Sequence, residues 1–222
     1  MSNIVIFGCG RGANVATRYF QDDSPHKIVA YTVDDEYADR KEFMSCPLIP
    51  FSRIEKEIPP KESQLFILLG FQRMNALRAE KFAQAKAKGY SLASYISSRI
   101  IGWPKFGENC FILEGNVFNY DVTIGDDVVM WSGNHVGDLS TIEDHVFVSS
   151  HVVLSGEVTV GANSFLGVNA TISNYVRVGV GCYIGANTLI VRDTPPGSVY
   201  VTKGTPELEH MDSVRFLEVI KS

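Results

Sequence analysis

Residues 124–172, written six at a time, read IGDDVV MWSGNH VGDLST IEDHVF VSSHVV LSGEVT VGANSF LGVNAT I. Every block opens on an apolar residue. The frame runs on in both directions without an insertion. It starts at Ile100, passes Phe106, Ile112 and Phe118, and leaves through Val178 and Ile184 to Ile190. The second residue of a block is often glycine (Gly107, Gly125, Gly137, Gly161, Gly167, Gly179, Gly185), and the fifth is usually small or β-branched. A period of six matches neither the 3.6 of a helix nor the 2 of a strand. It marks a stacked-coil β-solenoid in which each unit is one short strand and one corner. Three units close a coil, so residues 18 apart stack. That spacing predicts a ladder of Asp127, His145 and Asn163 at one corner and places His151 near Asn169 at another.

The chain before the period has a different grammar. Asn3 to Phe7 (NIVIF) predicts a short buried strand, followed by a Gly8–Ala13 loop and a helix ending near Phe20. Lys27 to Val33 predicts a second strand closed by Asp34 and Asp35, and a polar segment with Pro47 and Pro50 follows. Leu65 to Leu69 predicts a third strand, Gln72 to Lys88 a helix stopped by Gly89, and Ser91 to Tyr95 a fourth strand. Strands alternating with helices predict a small parallel α/β domain. The boundaries are therefore 1–96 for the α/β domain, 97–200 for the solenoid and 201–222 for a polar tail with a helix over Met211 to Ile220.

The 222 residues carry a formal net charge of −5, so no nucleic-acid footprint is expected. Met1-Ser2-Asn3 lacks a basic n-region, and no apolar run is long enough to span a bilayer, which predicts a cytoplasmic protein. Cys9, Cys46, Cys110 and Cys182 form no CxxC; Cys110 and Cys182 fall at inward solenoid positions and read as reduced core thiols, with no metal site expected.

Gly8, Gly10 and Ala13 fit G-x-G-x-x-G/A, and Asp34 stands about 20 residues on. Such a loop offers backbone N–H groups and a helix start to any phosphate. It suits a nucleotide diphosphate, an NAD-type dinucleotide or, without a ligand, close strand–helix packing. The solenoid begins too soon for a full dinucleotide domain.

The GCGRG loop, the Asp34-Asp35 pair, the Gly70-Phe71-Gln72-Arg73 strand end and the unbroken hexapeptide frame together resemble the PglD/NeuD-type sugar acyltransferases of the bacterial hexapeptide transferase superfamily. The resemblance runs from about residue 3 to about residue 206. It implies a left-handed parallel β-helix, a homotrimer, acetyl-CoA as cosubstrate along the solenoid and a nucleotide-activated amino sugar on the N-terminal domain. Carried over, the sugar nucleotide would meet Gly8, Gly10, Gly12, Asp34 and Asp35. The acyl-CoA contacts would fall near Gly156, Val168 and Ala186, with Lys203 near a phosphate in place of the basic residue missing after Gly204-Thr205-Pro206. The family's catalytic histidine and its acidic neighbour fall on Asp138 and Leu139.

Acylating an amine requires an uncharged amine, a destination for its proton and stabilisation of the oxyanion. An exposed aspartate is a poor base at its usual pKa of about 3.9. Asp138 therefore acts either as a base raised by burial or as a holder of the substrate ammonium, with His135, three residues earlier, taking or directing the proton. His145 and His151 read as outward corner residues, and Ser149-Ser150-His151 does not read as a covalent nucleophile site. Sugar O-acetylation and a non-catalytic binding scaffold are the competing expectations.

Overall fold

The computed structural model describes residues 2–220; Met1 and the end of the tail, Lys221 and Ser222, lie outside the described residues. The N-terminal unit runs β1 (Asn3–Phe7), α1 (Arg11–Asp22), β2 (Lys27–Val33), β3 (Glu42–Phe43), β4 (Cys46–Pro50), α2 (Ile54–Glu57), β5 (Ser63–Ile67) and α3 (Ala76–Ala87). The sheet order is β3-β4-β2-β1-β5, parallel except for the β3–β4 pair. The α/β expectation holds with three changes. The proline-bearing segment supplies β4, which pairs with β3 only at Cys46 and Pro47 and with β2 only from Leu48 to Pro50. The third strand sits two residues earlier than expected. The expected fourth strand reduces to one bridge between Leu65 and Leu92; Tyr95–Ile96 (β6) leaves the sheet and pairs with Phe111–Ile112 of the solenoid.

The solenoid consists of two-residue strands, one per hexapeptide, in three parallel sheets. Its hand is left. The first residue of each block points inward: Ile112, Met130, Val136, Ile142, Val148, Leu166, Ile172 and Ile184 are each 0% exposed. Full burial of such a side chain contributes roughly 1.5–3 kcal/mol, which is why the frame tolerates no gap. The fourth residue of each block turns the corner in the left-handed region, as at Asp127 (φ 57), Leu139 (φ 59) and His145 (φ 61). Glycine at the second position follows from coil spacing: a Cβ on Gly137 would stand 2.5 Å from the carbonyl carbon of Ser155 in the next coil. Cys110 and Cys182 are free and fully buried, and burial pushes the Cys110 thiol up to about 12.

The three faces differ in their outward residues. One presents Thr123, Thr141 and Thr159; we call it the threonine face. The open face presents Val117, His135, Val153, Thr171 and Leu189. The docking face presents Phe111, Val129, Phe147, Phe165 and Tyr183. The first four pack with Ile4, Phe20, Phe66 and Leu68 in one core that joins solenoid and α/β unit. Phe147, Phe165 and Tyr183 stack with ring planes 22° and 13° apart.

Asp23 ties α1 to the solenoid's first strand. Its Oδ2 accepts from Tyr95 Oη (2.8 Å), Ser97 Oγ (3.1 Å) and Ser98 N–H (2.9 Å). Those bonds, from Ser98 first, hold its carboxyl down to about 2. A carboxyl depressed on folding contributes stability that is complete above the unfolded value, about 3.9, and is lost as pH falls towards 2. The urea midpoint of Asp23→Asn should therefore lie below wild type at pH 6 and converge on it at pH 2.5; a gap that stays constant over that range would show that the ionised carboxylate contributes nothing here.

Candidate functional site

A cleft of about 680 Å³ lies between the glycine loop, the end of β5 and the docking face. Gly8, Gly10 and Gly12 form one wall and Leu68 to Gln72 a second; Trp131, Phe147, Ser149, Ser150 and Val168 form the solenoid wall. Helix α1 starts at Arg11, so its first-turn N–H groups lack intrahelical partners. The macrodipole adds partial positive charge there. Arg11 is the one charged side chain among the described walls. One end of the cleft thus offers free backbone N–H groups and a guanidinium, which suit an anion, and the other is an apolar, aromatic chamber. No metal-ligating group of three His, Cys, Asp or Glu side chains occurs among the described residues.

A second, more polar cleft of about 500 Å³ opens at the C-terminal coil. It is lined by Tyr183, Gly185 to Asn187 and Val201 to Thr205, and so includes Ala186 and Lys203. One corner row connects the two clefts. Ser150, Val168 and Ala186 stack 18 residues apart, one coil, about 4.8 Å, per step; Val168 lines the first cleft and Ala186 the second. The backbone N–H groups of Val168 and Ala186 have no partner among the described residues.

The corner that carries Asp138 has a different character. Asp138 is exposed, and its Oδ1 accepts the Tyr120 N–H of the preceding coil (3.0 Å). Asp144 does the same for Asp126 N–H, and Asn174 for Gly156 N–H. Gly156 also gives its carbonyl to Tyr175 N–H, so both of its backbone groups are committed. His135 stands on the open face between Val117 and Val153. Asp138, His135 and Gly156 therefore sit on one side of the open face, or on it, whereas Val168, Ala186 and both clefts sit at its other edge.

Asp34 and Asp35 line neither cleft. Lys81 Nζ lies 2.5 Å from Asp34 Oδ1, over the rings of Phe7 and Phe51. Ser52 donates its N–H (3.2 Å) and hydroxyl (2.6 Å) to Asp35, which holds that carboxyl below its ordinary value.

The Asp127 ladder is present and does more than cap a corner. A carboxylate only accepts, so His145 Nδ1 carries the proton it gives to Asp127 Oδ2 (2.8 Å). Asn109 Nδ2 donates to Asp127 Oδ1 (2.7 Å). Arg78 of α3, which composition alone places on the surface, is 0% exposed with Nε 3.0 Å from the same Oδ1. Its Nη2 donates to the carbonyls of Asp127 (3.0 Å) and His145 (2.9 Å). Burial pulls the Arg78 guanidinium down, against the opposing pull of Asp127. His151 shares its corner position with Asn169, but its ring turns to the preceding coil and lies over Gly133, where no side chain blocks it.

No family model matches the chain, and no curated protein matches it. Solved structures do. Perosamine N-acetyltransferase from Caulobacter crescentus, in complex with CoA and GDP-perosamine, superimposes with a TM-score of 0.79 at 24% identity, over 90% of this chain and 93% of that one. The acetyltransferase domain of PglB from Neisseria gonorrhoeae gives 0.75 at 19% identity, over 90% and 96%. WeeI from Acinetobacter baumannii gives 0.75 at 16%, over 91% and 97%. At these identities the likeness is one of architecture: the chain has the two-part fold of the hexapeptide-repeat sugar N-acetyltransferases.

Proposed function

We propose that the chain is an acyl-CoA-dependent transferase that N-acetylates a nucleotide-linked amino sugar, supplying surface polysaccharide or glycan biosynthesis from the cytoplasm. The observation that carries this reading is the row Ser150–Val168–Ala186, which runs from a phosphate-seating cleft to a second cleft with unpaired backbone N–H groups along it. An acceptor on the glycine loop and a donor along the row would meet at the solenoid corner. The second cleft suits acetyl-CoA: it is polar, has the Lys203 ammonium for a phosphate, and offers the Ala186 N–H. In this reading Gly8, Gly10 and Gly12 hold the diphosphate, and Asp34 and Asp35 act only through the packing of β2 and α3. The similar Caulobacter crescentus structures, which hold CoA and GDP-perosamine, agree with it.

The reading also calls for a homotrimer. Asp138 and His135 face away from this chain's own clefts. The open face and its Asp138 edge expose Leu139, Tyr120, Tyr175 and Leu189 (52%, 79%, 70% and 62%), apolar surface that a neighbouring copy would cover. A second copy laid there would bring its own cleft to this copy's Asp138, and round the trimer each cleft would meet a neighbour's Asp138. The free Asp138 Oδ2 then holds the sugar ammonium, and His135 orients that corner.

The test is titration calorimetry with acetyl-CoA and CoA, then turnover on a panel of amino sugars including GDP-perosamine. Binding at micromolar to sub-millimolar ligand and release of free CoA thiol are expected. No binding at millimolar acetyl-CoA sinks the enzyme reading in favour of a scaffold, and turnover only on acceptors without a free amine moves it to O-acetylation.

A further inference from the structure

We propose that His151 is the general base of this chain, taking the proton of the acceptor amine at the edge of the cleft. The proposal rests on the acyl-transfer reading above and deepens it. Four observations lead here.

The other histidines are placed elsewhere. His26 bonds Ser2 (2.8 Å), His145 is locked onto Asp127, His135 lies on the open face, where the trimer reading gives it the orientation of the Asp138 corner, and His210 is in the exposed tail. His151 directly follows Ser149 and Ser150, which wall the cleft.

Its corner position does not ask for histidine. The same left-handed turn is made by Gly115, Gly133, Asn169 and Asn187 in neighbouring coils, and His151 adopts it at φ 59. Glycine and asparagine are the residues that conformation favours. His145, the other histidine at a solenoid corner in this conformation, has its hydrogen bond to Asp127 as a local reason. No hydrogen bond to the His151 side chain occurs among the described residues.

The ring has a made seat. A Cβ on Gly133 would lie 2.8 Å from both Cε1 and Nδ1 of His151, so the bare glycine is what lets the ring take this position.

The ammonium first gives its extra proton to solvent, and the free amine nitrogen then forms a bond to the thioester carbonyl carbon. Its proton passes to an imidazole nitrogen of His151 and the C–S bond breaks. The imidazolium then returns the proton to the CoA thiolate, giving amide and free thiol with nothing oxidised or reduced.

The experiment compares wild type with His151→Asn and His151→Gly, using acetyl-CoA and the same amino-sugar panel. Both substitutions place a residue native to this corner row, so melting temperatures should stay within a few degrees of wild type. Expected are a fall in kcat of about 10²-fold or more, a KM for acetyl-CoA within threefold, and recovery of His151→Gly by at least tenfold with added imidazole. A kcat loss under threefold, a loss confined to KM, or a loss that imidazole does not relieve overturns the assignment while wild-type turnover keeps the acyl-transfer reading. An inactive wild type overturns both.

Discussion

Arg78→Ala should cost about 3–5 kcal/mol of unfolding free energy, because it leaves the buried Asp127 carboxylate without its cation. The loss reaches further than one ion pair. Nη2 satisfies the carbonyls of Asp127 and His145, and Nη1 donates to Asn75 Oδ1 (3.1 Å). Asn75 in turn donates to the carbonyls of Asn163 and Ser164, both at 3.1 Å. Arg78→Lys should recover little, since an ammonium cannot reproduce the planar fork. Urea unfolding of the three proteins measures this; a loss below 1 kcal/mol in Arg78→Ala would mean that the cluster is not what joins α3 to the solenoid.

The second large effect separates two glycines of one loop. A Cβ on Gly12 would stand 2.5 Å from the carbonyl oxygen of Leu68, so Gly12→Ala must push α1 from β5 and should cost about 1–3 kcal/mol. A Cβ on Gly10 meets nothing within 4 Å. That open space belongs to the cleft, and the proposed function seats the acceptor's phosphate there. Gly10→Ala should leave the melting temperature within a few degrees of wild type and weaken binding of the acceptor nucleotide by tenfold or more, read by calorimetry with GDP. If Gly10→Ala binds GDP as wild type does, the loop is structural and the phosphate sits elsewhere.

How much of this was legible in sequence depended on which force shaped each part. The solenoid was legible because burial repeats strictly: a polar residue at Ile142 or Val148 would be enclosed by coils on both sides. Its docking face was equally written, in Phe111, Val129, Phe147, Phe165 and Tyr183, but reading by six pools three faces that only reading by 18 separates. The start of α3 was not legible. Gln72 to Asn75 has helical composition, yet Arg73, Met74 and Asn75 turn through φ 53, 52 and 65. Contacts of Asn75 more than 80 residues away override that local preference. Arg78 gave no signal, since nothing in the helix tells an arginine that will meet solvent from one that will meet a corner of carbonyls. In the candidate site the glycine loop, Val168, Ala186 and Lys203 were found by pattern and line the clefts. Asp34 and Asp35 fit the pattern too, but their partners, Lys81 and Ser52, come from parts of the chain that the pattern does not cover.

The three-unit coil has a consequence for how this chain can change length. Eighteen residues inserted after a complete coil return every later side chain to the face it left, so the solenoid grows taller and keeps its wall of rings under the α/β unit. Six residues inserted at the same place keep the inside apolar and satisfy the stacking, yet rotate everything beyond by a third of a turn. Phe147 and Phe165 would then look out from another side, and the cleft would lose its floor. A local rule that looks satisfied at every position would have dismantled the molecule, which makes the coil, and not the hexapeptide, the unit in which this protein can be lengthened.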